Sequence, residues 1–367
     1  MTSMSGAKSE SAQKILVQIL EQLDKLAPRS SLIARVIKEF PGIERDVSEE
    51  ELRKIERRVL IGEPQGSAPT DVFEDLMKGL RTIADDHKTF DELSGYLKFE
   101  TRPTPVANAQ IVKLEELSWR VEVNSGMWSL LSAFARILAL STSPQEAETD
   151  PLMLLPEARQ QMLANLVQLE IDAPELLAEV ASRPLPDNDQ EMFAVISSEN
   201  AKRFVVAHEL LHFFLGHLFS GAVVDRQLRV VVGQPANVGP KVQGSTRWDD
   251  EMSADKGGFD LLLKLAVKEA EREHAGRPDV EDRRRGAGIR AYLGVITALG
   301  TLLILEAGSE KIRSSTHPPA DIRFRSVRTH IEQNYPGAAE ALFRMSNAME
   351  TFYRSMAQEI ATHRTKG

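Results

Sequence analysis

Apolar residues recur at helical spacing along most of the chain. In Ala12–Lys25 they fall on one helical face, and Pro28 follows as a stop. The same spacing predicts helices at Ser31–Phe40, Glu49–Leu60 and Asp71–Ala84. The first hundred residues therefore predict an array of helices.

Two prolines mark the end of this array, in the run Thr101-Arg102-Pro103-Thr104-Pro105. Proline lacks a backbone donor and biases the residue before it towards extended geometry. We expect a domain boundary here, with a helical N-terminal region over residues 1–105 and a second domain over residues 106–367.

The second half of the chain mixes short strand patterns with long helices. Met192–Ile196 is a short apolar run that predicts a strand, and a long helix is expected from about Asn200 to Leu218. Val223–Val232 has β-branched character, Gly233–Thr246 has the composition of a loop, and helices resume at Asp249. The predicted fold class is mainly α with a small β-sheet, an α+β arrangement.

Two apolar runs are long enough to be considered as membrane spans. Met127–Leu140 is interrupted by Arg136, and Ala291–Leu305 has only 15 residues. A span needs about 20 apolar residues, so both runs predict buried helices and no membrane contact.

Composition excludes several classes of function. The net charge is −9, which argues against nucleic-acid binding, since phosphate contacts need a basic surface. Cysteine is absent, so any metal must bind through His, Asp or Glu. Met1–Glu10 lacks the cationic and apolar segments of a secretory signal, and a cytoplasmic location is expected.

The sequence His208-Glu209-Leu210-Leu211-His212 carries the strongest chemical signal. Histidines four residues apart on a helix project from one face and can bind one zinc ion together. The carboxylate beside them can take a proton from a water that the zinc activates. The flanking residues are mostly apolar, so this polar trio lies in a buried setting and needs a partner. Two core histidines satisfied by hydrogen bonds, with the glutamate exposed, are the alternative interpretation.

A catalytic zinc ion needs a third protein ligand and an open position. The sequence offers His217, Asp249, Asp250, Glu251 and Asp255. On a continuous helix His217 points away from His212, so it could bind the zinc only if the helix ended at Gly216. Glu251 and Asp255 share a helix face, with Glu251 suited to bind the metal and Asp255 suited to accept a hydrogen bond from a ligating imidazole. An acidic, solvated helix start remains the alternative for this pair.

Three motifs in order resemble those of the gluzincin metallopeptidases, in the HtpX-like and CAAX-prenyl-protease-like branch. The motifs are His208-Glu209-Leu210-Leu211-His212, Glu251-Met252-Ser253-Ala254-Asp255, and Ser315-Thr316-His317-Pro318-Pro319 followed by Arg323. The resemblance covers residues 192–333 and implies a zincin-like domain. It implies His208, His212 and Glu251 as zinc ligands, Glu209 as general base and Asp255 as support for a ligand. The absence of convincing transmembrane helices indicates a soluble relative, and the motif order is also similar to that of the Lit-type phage-exclusion peptidases.

The late motif has two interpretations. Pro318 and Pro319 suit the first turn of a helix through Arg323. The resemblance implies that His317 or Arg323 could stabilise the oxyanion of a tetrahedral intermediate. A histidine at a helix N-terminus with surface arginines is the alternative.

These observations predict a zinc-dependent endopeptidase that acts on a protein or peptide substrate. Met192–Ile196, as a strand next to the zinc helix, could pair with an extended substrate backbone. The alternative is an inactive regulatory or scaffold protein that retains the peptidase fold. Retention of Glu209 argues against it, because a structural zinc site needs no base.

Overall fold

Helices form most of the molecule, and one small sheet accompanies them. The computed structural model describes residues 11–19, 69–84, 87–115, 118–140, 156–182, 185, 188–217, 247–273, 280–308 and 317–364. The helices are α1 (11–19), α2 (Pro69–Ile83), α3 (His87–Ser94), α4 (Ser125–Ala139), α5 (Pro156–Asp172), α6 (Leu177–Ser182), α7 (Asn188–Phe214), α8 (Arg247–Glu273), α9 (Val280–Gly308), α10 (Ala320–Asn334) and α11 (Pro336–Arg364). The strands are β1 (Leu97–Arg102), β2 (Ala109–Glu115) and β3 (Ser118–Asn124). The predicted fold class is confirmed.

The helix expected over Asp71–Ala84 corresponds to α2. Of the helix predicted over Ala12–Lys25, the described part is α1, in which Leu16 and Ile19 are buried, while residues 20–25 lie outside the described residues. The helices predicted at Ser31–Phe40 and Glu49–Leu60 lie outside the described residues. So do the strand and loop predicted at Val223–Val232 and Gly233–Thr246.

The three strands form one mixed sheet in the order β1-β3-β2, with β3 parallel to β1 and antiparallel to β2. Alternation along β3 buries Trp119, Val121 and Val123. These residues face the core because successive side chains of a strand point to opposite sides. β1 precedes the domain boundary predicted near residue 105 and pairs with a strand after it, and that boundary stays a prediction.

Helix α7 is the centre of the fold and contacts α4, α8 and α9. It begins at Asn188, so the strand predicted at Met192–Ile196 is wrong. The buried positions of this segment include Glu191, Ala194 and Ser198, which follow helical spacing. The hydropathy of the sequence does not show this spacing. Two of the three buried residues are polar, and the apolar Met192 is 44% exposed.

Helices α7 and α9 approach each other closely at Gly294. A Cβ atom at this position would lie 2.4 Å from the backbone oxygen of Asn200. Glycine is therefore required by the contact between the two backbones.

The described residues contain one helix, Gly286–Gly308, that is long and apolar enough to cross a membrane. Within an apolar stretch of 18 residues in this helix, 78% is buried inside the protein. The helix predicted at Ala291–Leu305 lies within it, and packing against α7 and α11 accounts for its apolar composition. The run Met127–Leu140 likewise belongs to the buried helix α4.

A buried ion pair joins α4 to the start of α7. Arg136 donates from Nη2 to Glu191 Oε1 at 2.8 Å, and both side chains are at most 2% exposed. The other oxygen of Glu191 accepts the backbone N–H of Leu185 at 2.7 Å. Since both charges are removed from water, each depends on the other for compensation.

Replacing Glu191 with glutamine tests this dependence. The amide keeps an oxygen for Leu185 but leaves the guanidinium of Arg136 buried without a counter-charge. We expect the free energy of unfolding, measured in urea, to fall by about 3–5 kcal/mol. The double variant Arg136→Met with Glu191→Gln should recover most of this loss. A single variant as stable as the wild type would contradict the account.

A half-buried carboxyl, that of Glu170 on α5, makes stability depend on pH. Burial raises the pKa of Glu170 to about 7, although the N–H of Ala107 donates to Oε1 at 3.2 Å. Its Oε2 atom is buried and has no hydrogen-bond partner among the described residues. The folded protein therefore holds a proton at Glu170 that the unfolded chain releases at lower pH.

The sign of this effect can be measured. Because the folded-state pKa is the higher one, Glu170 should lower the free energy of unfolding as the pH rises from about 4.5 to about 7. Urea unfolding across this range should show a shallower decline for Glu170→Gln than for the wild type. Parallel curves for the two proteins would contradict the assignment.

Candidate metal centre

Three side chains from two helices converge on one point. His208 and His212 on α7 place their Nε2 atoms 3.1 Å apart. Glu251 on α8 places Oε2 3.4 Å from His208 Nε2 and Oε1 3.5 Å from His212 Nε2. All three residues are buried, and together they can hold one metal ion. The structure thus brings together the two predicted histidines and one of the five candidates for a third ligand.

A glycine on α8 lets the two helices approach at this point. A Cβ atom at Gly258 would lie 3.3 Å from Phe204 Cε2 and 3.5 Å from the backbone nitrogen of His208. These separations leave little room for a side chain. Gly258 thereby brings the start of α8 within reach of both imidazoles.

Asp255 occupies the position behind His208. Its Oδ1 atom lies 2.9 Å from His208 Nδ1, on the far side of the ring from Glu251. Arg323 on α10 donates from Nε to Oδ2 at 2.7 Å and from Nη2 to Oδ1 at 2.6 Å. Burial opposes a charge on Asp255, but the adjacent guanidinium outweighs it and lowers the pKa of this carboxyl.

Arg323 therefore lies behind the ligands. It is 8% exposed, and two of its nitrogens are bound to Asp255. The expectation that it could stabilise an oxyanion stays a prediction. In the structure, Arg323 supports Asp255 through two buried hydrogen bonds.

The turn His317-Pro318-Pro319 brings a third histidine to the centre. Helix α10 begins at Ala320, with Pro319 as its N-cap residue, close to the start expected from the two prolines. Both carboxylate oxygens of Glu306 accept the N–H of Ala320, at 3.2 and 3.1 Å, in place of a capping side chain. His317 Nδ1 lies 3.0 Å from Glu251 Oε2, and its side chain is 45% exposed. His317 thus stands between the buried ligands and solvent.

The end of α7 has a geometry that periodicity alone did not predict. Gly216 has a φ of 74°, and the N–H of His217 bonds to the carbonyl of His212 at 3.1 Å, which is a Schellman motif. His217 could bind the metal only if the helix ended before it, and the helix does end there. Its ring nevertheless contacts Nδ1 of His212 and does not reach the point where the Nε2 atoms of His208 and His212 converge. Asp250 lies beside His217 and outside the cluster.

Glu209 follows the first ligand on α7 and is half-buried. Burial raises the pKa of Glu209 to about 7, and the charge of Glu251 acts in the same direction. The two imidazoles differ as well. Burial opposes a charge on His208, but the contact with Asp255 outweighs this effect and raises the pKa of His208 to about 9. Burial and the neighbouring His208 lower the pKa of His212.

The charges of the centre favour a cation. Glu209, Glu251 and Asp255 supply three carboxylates, and Arg323 supplies one guanidinium. In the metal-free centre, the raised pKa values of His208 and Glu209 let protons offset part of this negative charge. Metal binding requires neutral imidazoles and ionised carboxylates. A divalent cation would then balance the carboxylates that Arg323 leaves uncompensated, so it fits the residues that are present.

Comparison with known proteins identifies the family. Residues 127–342, more than half of the chain, match the model of the family described as Peptidase U49. The chain belongs to Peptidase U49. The matched region of this U49 chain contains the centre, from His208 to Arg323. Neither a curated protein nor a solved structure matched the sequence.

The family match refines the resemblance noted in the motifs. The Lit-type peptidases are members of Peptidase U49, whereas the match does not confirm the HtpX-like branch. A peptidase and hence a protein substrate follow from the family.

Replacing Asp255 with asparagine tests its place behind His208. Asparagine keeps the shape and one oxygen but removes the charge that faces Arg323. We expect zinc affinity, measured by competition with a chelator, to fall about 10–100-fold. Stability in urea should fall by about 3–5 kcal/mol, because the guanidinium loses its partner.

The matched control is Asp260→Asn on the same helix. Asp260 accepts hydrogen bonds from Tyr335 and contacts His330, away from the centre. Its variant should bind zinc as the wild type does. Equal zinc affinity in Asp255→Asn and the wild type would contradict the assigned role.

Proposed function

We propose that this U49 protein is a zinc-dependent endopeptidase. The observation that carries the proposal is the convergence of His208, His212 and Glu251 beside the carboxylate of Glu209. Two imidazoles and one carboxylate are the protein ligands of a catalytic zinc site that keeps one position open. Membership of a peptidase family supports the same reaction class.

The separations of the ligand atoms support zinc. Two ligands bound tetrahedrally at about 2.1 Å from one ion lie about 3.4 Å apart. The two Nε2 atoms of the centre are 3.1 Å apart, and each lies 3.4 or 3.5 Å from one of the two oxygens of Glu251. The donors are nitrogen and oxygen, without thiolates, as in hydrolytic zinc sites.

The metal would supply Lewis acidity, which polarises the scissile carbonyl and lowers the pKa of water to about 7. Glu209 then accepts a proton from the attacking water on its carboxylate and transfers it to the leaving amine. In the metal-free centre burial raises the pKa of Glu209 to about 7, and a bound cation would lower it again, which favours the carboxylate that the first step needs.

Three further residues act around this chemistry. Asp255 holds His208 through Nδ1, so that Nε2 faces the metal position. His317, at the exposed side of the centre, is suited to donate to the developing oxyanion. Arg323 holds Asp255 in place through two hydrogen bonds.

Strand β2 is the proposed pairing site for an extended substrate. The strand expected at Met192–Ile196 is helical and cannot serve this purpose. Among the described residues, β2 pairs with β3 on one side only, and it contacts the ligand helix α7. An edge strand can bind a substrate backbone through its unpaired N–H and C=O groups.

The roles of ligand and base are separable by mutation. His208→Ala and Glu251→Ala should lose zinc, measured as metal content per chain, because each removes one of three protein ligands. Glu209→Gln should retain zinc and lose cleavage of a broad peptide library by about 100-fold or more. Glu179→Gln, an exposed change of the same kind, serves as the control.

The outcomes distinguish the proposal from the scaffold alternative. One zinc per wild-type chain with cleavage that depends on Glu209 is the expected result. Zinc binding without cleavage by the wild type would favour an inactive scaffold. A wild type that binds no zinc would contradict the metal site itself.

A further inference from the structure

His217 makes contacts that the proposed reaction does not use. Its ring lies at the C-terminal end of α7, with the side chain 9% exposed. Nδ1 of His217 is 3.0 Å from Nδ1 of His212, and the two rings meet edge to face with centroids 5.1 Å apart. His217 therefore touches a ligand residue on the side away from the metal position.

The two nitrogens of His212 face different partners. Nε2 lies 3.1 Å from His208 Nε2 and 3.5 Å from Glu251 Oε1, at the point of convergence. Nδ1 faces His217. A neutral imidazole that binds a metal through Nε2 carries its proton on Nδ1, and that proton needs an acceptor. Nδ1 of His217 is at the right distance to accept it.

Accepting this proton fixes the tautomer of His217 in turn. With Nδ1 as acceptor, neutral His217 carries its proton on Nε2, which faces Asp250 Oδ1 at 3.9 Å. This separation is too long for a direct hydrogen bond, but the carboxylate favours a donor at that nitrogen. The contacts from His212 to His217 and from His217 to Asp250 thus link the end of α7 to the start of α8.

The backbone holds His217 in this position. The Schellman motif at Gly216 ends α7, and the N–H of His217 bonds to the carbonyl of His212. Both the backbone and the ring of His217 therefore contact the same ligand residue. A continuous helix would have directed this side chain away from His212.

The two histidine ligands consequently have different supports. His208 contacts the carboxylate of Asp255 through Nδ1, whereas His212 contacts the ring of His217. We propose that His217 is a positioning residue that accepts the Nδ1 proton of His212 and thereby fixes the tautomer and ring orientation of His212. This inference rests on the proposed zinc site. His217 acts through His212 and does not bind the metal itself.

The experiment measures zinc binding without relying on activity. Zinc affinity is determined by chelator competition for the wild type, His217→Phe and His217→Asn. Phenylalanine keeps a ring but offers no acceptor, so the affinity should fall about 10–100-fold. Asparagine offers a carbonyl oxygen and should restore most of the loss. His87→Phe, the same change at an exposed position of α3, is the control and should bind as the wild type does.

A spectroscopic readout separates positioning from general stability. In the zinc-loaded wild type, nuclear magnetic resonance should detect a slowly exchanging proton on His212 Nδ1. This signal should be absent in His217→Phe and present in His217→Asn. Urea unfolding of the metal-free proteins establishes that each variant is folded before zinc is added.

Each result has one meaning. Wild-type zinc affinity and a retained Nδ1 signal in His217→Phe would overturn the role of His217 and leave the zinc site intact. Equal losses in His217→Phe and His217→Asn would also overturn it, because the acceptor would then be irrelevant. A wild type that binds no zinc would overturn both this inference and the proposed function.

Discussion

The buried carboxylate of Asp255 is the interaction on which the centre depends. It contacts His208 on α7 at 2.9 Å and receives two hydrogen bonds from Arg323 on α10, while its own helix is α8. One side chain thereby joins the three helices that carry the candidate residues. Removing it would leave a guanidinium buried without compensation, a cost of about 3–5 kcal/mol in comparable pairs. The geometry of the ligands and the stability of the surrounding fold therefore rest on the same contact.

The remaining charges make a divalent cation a fitting occupant of the centre. Arg323 compensates Asp255, and Glu209 and Glu251 are two further carboxyl groups that a cation would face. Membership of a peptidase family and the cluster of two imidazoles with a carboxylate support the proposed metallopeptidase independently. The candidate ligands lie on the long helices α7 and α8, which approach each other closely at Gly258, and this favours a preorganised site. His317, half-exposed at the start of α10, stands on the side open to a substrate.

The sequence predicted the contacts that follow from spacing along one helix. It predicted fewer of the contacts that residues from distant segments make. His208 and His212 share a helix face by their spacing of four, so their approach required no knowledge of the fold. A small sheet was predicted, but of its two expected strands Met192–Ile196 is helical and Val223–Val232 lies outside the described residues. The period-two pattern of Trp119, Val121 and Val123 was the signal for β3, whereas the apolar run at Met192–Ile196 belongs to a helix. The contacts of Arg323 depend on how α10 approaches α8, which no local pattern encodes. Those of His217 depend on the left-handed conformation of Gly216, and the sequence offers only the glycine itself as a signal for it.

X-ray absorption at the zinc edge of the zinc-loaded protein tests the central claim most directly. The account predicts one zinc ion per chain with two imidazole nitrogens at about 2.0–2.1 Å and oxygen ligands for the remainder of the shell. The signal of one imidazole should disappear in His212→Ala. A shell of oxygen atoms without imidazole, or a spectrum unchanged in His212→Ala, would contradict it.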